Sequence, residues 1–151
     1  MRRSLMPILV IVLTACGSSS SPGPKFGNRP STVERPDIEI RQMASPFFGS
    51  GYTAPLPLDV DITNRASVPV SVRRIRIDPT GMGEYSFYPA ERLFKEVIAP
   101  GQTRTFNVTP TAYTNVARLT PTEPLSLRAT IDFDSGETRF HEIVFQQIRQ
   151  Q

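Results

Sequence analysis

The most constraining feature of this chain is an unbroken alternation near its C-terminus. Leu125, Leu127, Ala129, Ile131 and Phe133 are separated one by one by Ser126, Arg128, Thr130 and Asp132. Successive side chains of an extended strand point to opposite faces, so this run buries one face and wets the other. Leu56, Leu58, Val60 and Ile62 repeat the pattern against Pro57, Asp59, Asp61 and Thr63, and Ile38 and Ile40 do so more briefly. Val68, Val70 and Val72 continue it, but Ile75 and Ile77 fall on the opposite parity. An extra residue at Arg73-Arg74, a β-bulge, restores the inward face.

Turn chemistry separates these runs. Asn64-Arg65-Ala66-Ser67, Asp78-Pro79-Thr80-Gly81-Met82-Gly83 and Ala99-Pro100-Gly101-Gln102 each punctuate the chain. Asp134-Ser135-Gly136-Glu137 predicts a hairpin turn of about four residues. Tyr85 and Phe87, with Tyr88, form a short strand, and Phe106 and Val108 point inward from the segment at 103–109. The segment at 89–98 is compatible with two periods. Pro89 at a first turn and the Leu93/Val97 and Phe94/Ile98 pairs predict one helical turn over Pro89–Arg92, followed by an edge strand to Ile98. The Thr/Pro-rich run at 110–124 reads as a long connection. Phe140, Ile143 and Phe145 break parity in the last strand, which predicts another bulge or burial on both faces.

Fifteen Pro, nine Gly and no Trp leave little room for long helices. Seven or eight short strands with such connections indicate an all-β chain, a single β-sandwich. The segments Val60-Asp61-Ile62-Thr63-Asn64 before Val68-Pro69-Val70, and Ile98-Ala99-Pro100-Gly101-Gln102 before Phe106, resemble those of immunoglobulin-like bacterial envelope domains. That resemblance implies an Asn-containing turn joining two strands and a Pro-Gly turn preceding an inward aromatic. The disulfide and core Trp of antibody-type domains are absent, as Cys16 is the sole cysteine.

The N-terminus has a different logic. Arg2 and Arg3 precede the uncharged run Leu5-Met6-Pro7-Ile8-Leu9-Val10-Ile11-Val12-Leu13. A spanning helix needs ~20 apolar residues, so this run suits a secretory signal instead. Leu13-Thr14-Ala15-Cys16 resembles the lipobox of bacterial lipoproteins. The resemblance implies cleavage before Cys16 and acylation of Cys16, with Gly17 favouring the outer membrane. It thus predicts a signal peptide over 1–15, a lipidated Cys16 with a flexible Ser/Gly/Pro tether over 16–36, and an immunoglobulin-like β-sandwich over 37–149. The expected location is the periplasmic face of the outer membrane, and the expected partners are membrane lipid and an envelope protein.

Charge narrows the function. The chain has 17 Lys+Arg against 14 Asp+Glu, and removing Arg2 and Arg3 leaves 15 against 14. A nearly neutral mature chain lacks the basic footprint that nucleic acid requires. Hydrolytic chemistry needs a nucleophile, a base and an orienter within reach, yet His141 is the sole histidine and no Gly-x-Ser-x-Gly elbow occurs. Transition metals draw on several His or Cys ligands. Asp132, Asp134 and Glu137 offer oxygen ligands for calcium, but without EF-hand spacing, and Asp-Gly turns have a backbone explanation. No cofactor, metal or enzymatic activity is expected.

Two clusters remain as candidate interaction sites. Phe47, Phe48 and Tyr52 lie in a loop with Gly49, Ser50 and Gly51, where exposed aromatics would anchor an interface or a glycan. Arg73, Arg74 and Arg76 would meet an acidic partner or anionic headgroups, or else pair with Asp59, Asp61 or Asp78. The resulting expectation is a non-enzymatic binding or envelope-assembly accessory acting through loops or a sheet edge. The alternative is a small-ligand or glycan-binding lipoprotein using the loop at 47–52.

Overall fold

The computed structural model describes residues 27–81, 85–114, 124–136 and 138–148. The lipobox, the first part of the tether, Met82, Gly83, Glu137 and most of the Thr/Pro-rich run lie outside them. Within the described residues the chain is all-β. Its strands are β1 (Asp37–Gln42), β2 (Thr53–Pro55), β3 (Leu58–Thr63), β4 (Val70–Pro79), β5 (Ser86–Phe87), β6 (Ala90–Ile98), β7 (Thr103–Val108), β8 (Thr111–Tyr113), β9 (Leu125–Ser135) and β10 (Thr138–Ile148).

Every pairing is antiparallel. One sheet runs β1-β3-β7, the facing sheet β10-β9-β4-β6, and a small sheet β2-β8-β5 lies where β3 begins and β4 and β7 end. If the short strands are set aside, the chain order gives A-B-E in one sheet and G-F-C plus one added edge strand in the other. That is the arrangement of an immunoglobulin-like sandwich.

The alternation dictates the core. Leu58, Val60, Ile62 and Phe106 from one sheet meet Val72, Ile75, Ile77, Leu127, Ile131 and Phe133 from the other, all essentially inaccessible to solvent. Phe133 and Phe140 stack at 5.3 Å between ring centroids. Each such side chain contributes about 1.5–3 kcal/mol relative to an exposed one. With no disulfide among the described residues, this burial carries the fold.

The two segments that resemble immunoglobulin-like domains are physically joined at Asn64. Its side chain is buried; Nδ2 donates to the carbonyls of Val68 and Ile98, and Oδ1 accepts from the Ala66 amide. Its backbone accepts from Gly101 and donates to Gln102. Gly101 has φ +72°, a conformation that only glycine adopts without strain.

The bulge expected at Arg73-Arg74 is present: the register of β4 shifts between Val72 and Arg74 against both neighbours. Other expectations are corrected. No helical turn forms over Pro89–Arg92, because Ala90 to Leu93 pair with β4, as do Glu96 to Ile98 beyond the bulge, and the free edge of β4 needs hydrogen-bond partners. The 93/97 spacing of four places both residues on one face in either a helix or a strand, so the pattern alone could not decide. The last strand contains no bulge, since its register with β9 runs unbroken from Thr138 to Ile148. Ile143 and Phe145 instead face solvent. Thr138 pairs with Ser135, which makes the hairpin turn tighter than four residues, with Gly136 at φ +61°.

The packed region also begins before Asp37. Val33 is buried in the core, the Gly27 amide donates to the Arg139 carbonyl at 2.9 Å, and Arg29 and Arg35 both pair with Glu142. Residues 27–36, expected to lie in the tether, are thus packed on the sandwich, where Glu142 on the inward parity of β10 draws two cations. Next to it, the Gln146 side chain accepts from the Ile40 amide and donates to the Ile40 carbonyl. One amide thereby closes the outer edge of β1.

Candidate functional site

The candidate site is the outer face of the β10-β9-β4-β6 sheet, and the bulge is what concentrates charge there. An ordinary strand would send Arg73 and Arg74 to opposite faces; the extra residue directs both outward. Arg73 Nε lies 3.3 Å from Asp134, and Arg74 bridges Asp132 at 2.8 Å and Glu91 at 3.5 Å. Arg139 on β10 completes the cluster, with Nε 2.9 Å from Asp134. The Nε of Arg74 is buried with no acceptor among the described residues.

A second cluster lies further along the same face. Asp78 accepts from Arg76 at 3.0 Å and from Arg128 at 3.1 Å. The Arg76 hydrogen bond, helped by Arg128 and opposed by burial, holds the Asp78 carboxyl below its ordinary range, and Asp78 in turn raises Arg76. Asp134 likewise raises Arg139. Heights differ by sign. The side chains of Asp132 and Asp78 are 8% and 10% exposed, whereas those of Arg74 and Arg76 are 38% and 49% exposed. Asp132 and Asp78 lie sunk beneath Arg74 and Arg76, while Glu91 stands at the rim, 42% exposed.

The strands on either side of this ladder carry apolar side chains on the same face. Leu93 is 73% exposed and Phe145 71%, with Val97 and Ile143 less so. Sequence reasoning missed these four as surface residues. The signal was the broken parity of the last strand, read as burial rather than exposure. Arg139 and Lys95 were also missed, being isolated in sequence and gathered only by pairing.

The arginine candidates therefore meet as one surface. Arg76 does pair with Asp78, while Arg73 and Arg74 take Asp132, Asp134 and Glu91 rather than Asp59 or Asp61. The aromatic candidates are placed elsewhere, beside the small sheet. Phe48 packs against the core and lies 6.2 Å from Tyr85. Phe47 and Tyr52 are 87% and 70% exposed. Thus the loop splits: one ring caps the sandwich and two face outward. Of the proposed calcium ligands, Asp132 and Asp134 are neutralised by arginines, and Glu137 lies outside the described residues. Among the described residues no three His, Cys, Asp or Glu side chains converge.

No family model matches the chain, and no curated protein matches it. Among solved structures it is similar to Northeast Structural Genomics Consortium target SoR45, at 12% identity and TM-score 0.49, over 80% of this chain and 88% of that one. It is also similar to a fragment of alpha-2-macroglobulin from Escherichia coli, from domain MG7 to its C-terminus. There the identity is 19% and the TM-score 0.38, over 79% of this chain and 17% of that one. A FixG-related protein from Vibrio parahaemolyticus matches at 12% identity and TM-score 0.36, over 79% and 99% of the two chains. The class assignment rests on the strand order itself: an immunoglobulin-like β-sandwich.

Proposed function

We propose that this protein is a non-enzymatic binding module of the bacterial envelope, tethered to the outer membrane through acylated Cys16 and facing the periplasm. It would hold a protein partner against the outer face of the β10-β9-β4-β6 sheet. The observation that carries this reading is the exposure of Leu93, Val97, Ile143 and Phe145 on both flanks of one charged ladder. Exposed apolar side chains gathered on one face, here on either side of a charged centre, are a feature of interaction surfaces. Lipid attachment supplies the second element, because tethering raises the effective concentration of the module near a membrane-bound partner. A second reading, a small-ligand or glycan module, draws on the outward rings of Phe47 and Tyr52.

In-cell photocrosslinking of the full chain, with the probe at Phe145 or at Phe47, tests both. A discrete protein adduct at Phe145 with none at Phe47 is the expected result. Adducts confined to Phe47 would transfer the assignment to the second reading, and an unreactive Phe145 would sink the first. Separately, Cys16→Ser should leave the chain unprocessed or soluble on fractionation; continued processing and membrane attachment would remove the anchor.

A further inference from the structure

The outer face contains a concavity at its bulged end. A cleft of about 310 Å³ opens there, lined by Arg73, Arg74, Lys95 and Arg139, with Asp132 at its floor and Leu93 as an apolar wall. We infer that this cleft receives a carboxylate of an acidic protein segment, with an apolar neighbour of that carboxylate packing on Leu93. The inference rests on the reading of this face as a binding surface and specifies the chemistry of its partner.

Three observations point to this ligand. First, among the described residues the lining holds Arg73, Arg74, Lys95 and Arg139 against one carboxylate, Asp132. Arg74, although paired with Asp132 and Glu91, keeps an Nε–H without an acceptor among the described residues. A guanidinium offers five N–H donors in a planar fork, and Arg73 Nε lies 3.3 Å from Asp134. Lys95 has no ion pair among the described residues, so one ammonium stands ready for an incoming charge. Second, a monoanion fits better than a phosphate, because Asp132 and Asp134 beneath the cleft would repel a second negative charge. Third, Leu93 in the cleft and Val97 beside it on β6 supply apolar contact that a lipid headgroup would not use. A segment alternating acidic and apolar side chains satisfies all three.

The test uses the full-length chain in detergent micelles, titrated by calorimetry with a blocked peptide alternating leucine and glutamate. The expected result is saturable binding, one peptide per chain, weakened at least about threefold by Lys95→Glu and less by Lys95→Gln. The glutamine analogue of the peptide should bind as poorly as the charge-reversed protein does. Thr105→Glu, on the opposite sheet, should change nothing. Absence of saturable binding, or indifference to Lys95→Glu, would overturn the proposal. So would equal binding of inorganic phosphate or displacement of the peptide by phosphatidylglycerol mixed into the micelles, either of which would reassign the cleft to a phosphate group. If Phe145 crosslinks to a protein in cells while the peptide fails, the binding face stands and the carboxylate assignment alone falls.

Discussion

The two outer faces of this sandwich are built on the same alternation and end up with opposite characters. On the β1-β3 side the outward positions hold Asp37, Glu39, Asp59 and Asp61 against Arg41. They are satisfied locally: Thr105 donates to Asp61 at 2.6 Å, Thr63 and Thr103 share a hydrogen bond of 2.7 Å, Arg41 pairs with Asp61, and Asn107 bonds to Asp59. Met43, just past the end of β1, is the large apolar side chain strongly exposed beside that face. The β10-β9-β4-β6 face is instead cationic in its outermost layer and apolar along its flanks. The difference teaches that the inward half of each strand specifies the fold, while the outward half is free to differ. Among the described residues, exposed apolar strand positions beside a cationic ladder appear on one side.

The largest expected effect abolishes the comparison. Phe133→Ala removes a ring stacked on Phe140 between the sheets and should destabilise the domain by about 3–5 kcal/mol, with both faces lost together. Urea titration followed by circular dichroism measures it. Asn64→Ala should cost about 1–3 kcal/mol in the same assay, because the carbonyls of Val68 and Ile98 lose their donor inside the protein. A smaller loss would show that water reaches this corner.

Paired surface changes sharpen the comparison. Leu93→Ser with Val97→Ser should move stability by no more than about 0.5 kcal/mol, while removing the protein adduct formed by the probe at Phe145. The matching change Thr103→Val on the acidic face should leave adducts intact. Loss of adducts in both would mean that the faces are not functionally distinct.

The smallest effect concerns acid. The lowered carboxyl of Asp78 contributes stability above its unfolded value of about 3.9, and that contribution disappears as pH falls through its native value. Asp78→Asn should therefore flatten the decline of stability on the acid side and leave the neutral limb parallel to that of the unaltered protein. An unchanged acid limb would show that the Arg76 and Arg128 contacts are too solvated to matter.

Much of the sandwich was legible because period two is a direct record of burial. Leu125 to Phe133 and Leu56 to Ile62 face inward as their spacing requires, and the parity change after Val72 located the bulge. What failed to show in the sequence was created by pairing. β2 and β8 are too short to display a period and exist because they pair with each other. Leu93 and Val97 are apolar in sequence and exposed in space because β6 has no neighbour sheet on that face. The candidate site was half visible: Arg73, Arg74 and Arg76 are adjacent in the chain. Lys95 and Arg139, which line the cleft with Arg73 and Arg74, come from strands on opposite sides of the sheet. No window of local sequence unites them.

The attachment of the N-terminal segment has a mechanical consequence. Tension drawn through the chain ahead of Gly27 reaches β10 first, through the Gly27–Arg139 backbone bond and the clamp of Arg29 and Arg35 on Glu142. β1 is loaded only after those contacts yield, and then as a strand flanked by β3 on one side and the Gln146 amide on the other. The domain thus carries a sacrificial fastening in front of its first structural strand. Release of those contacts leaves the pairing of β1 with β3 in place.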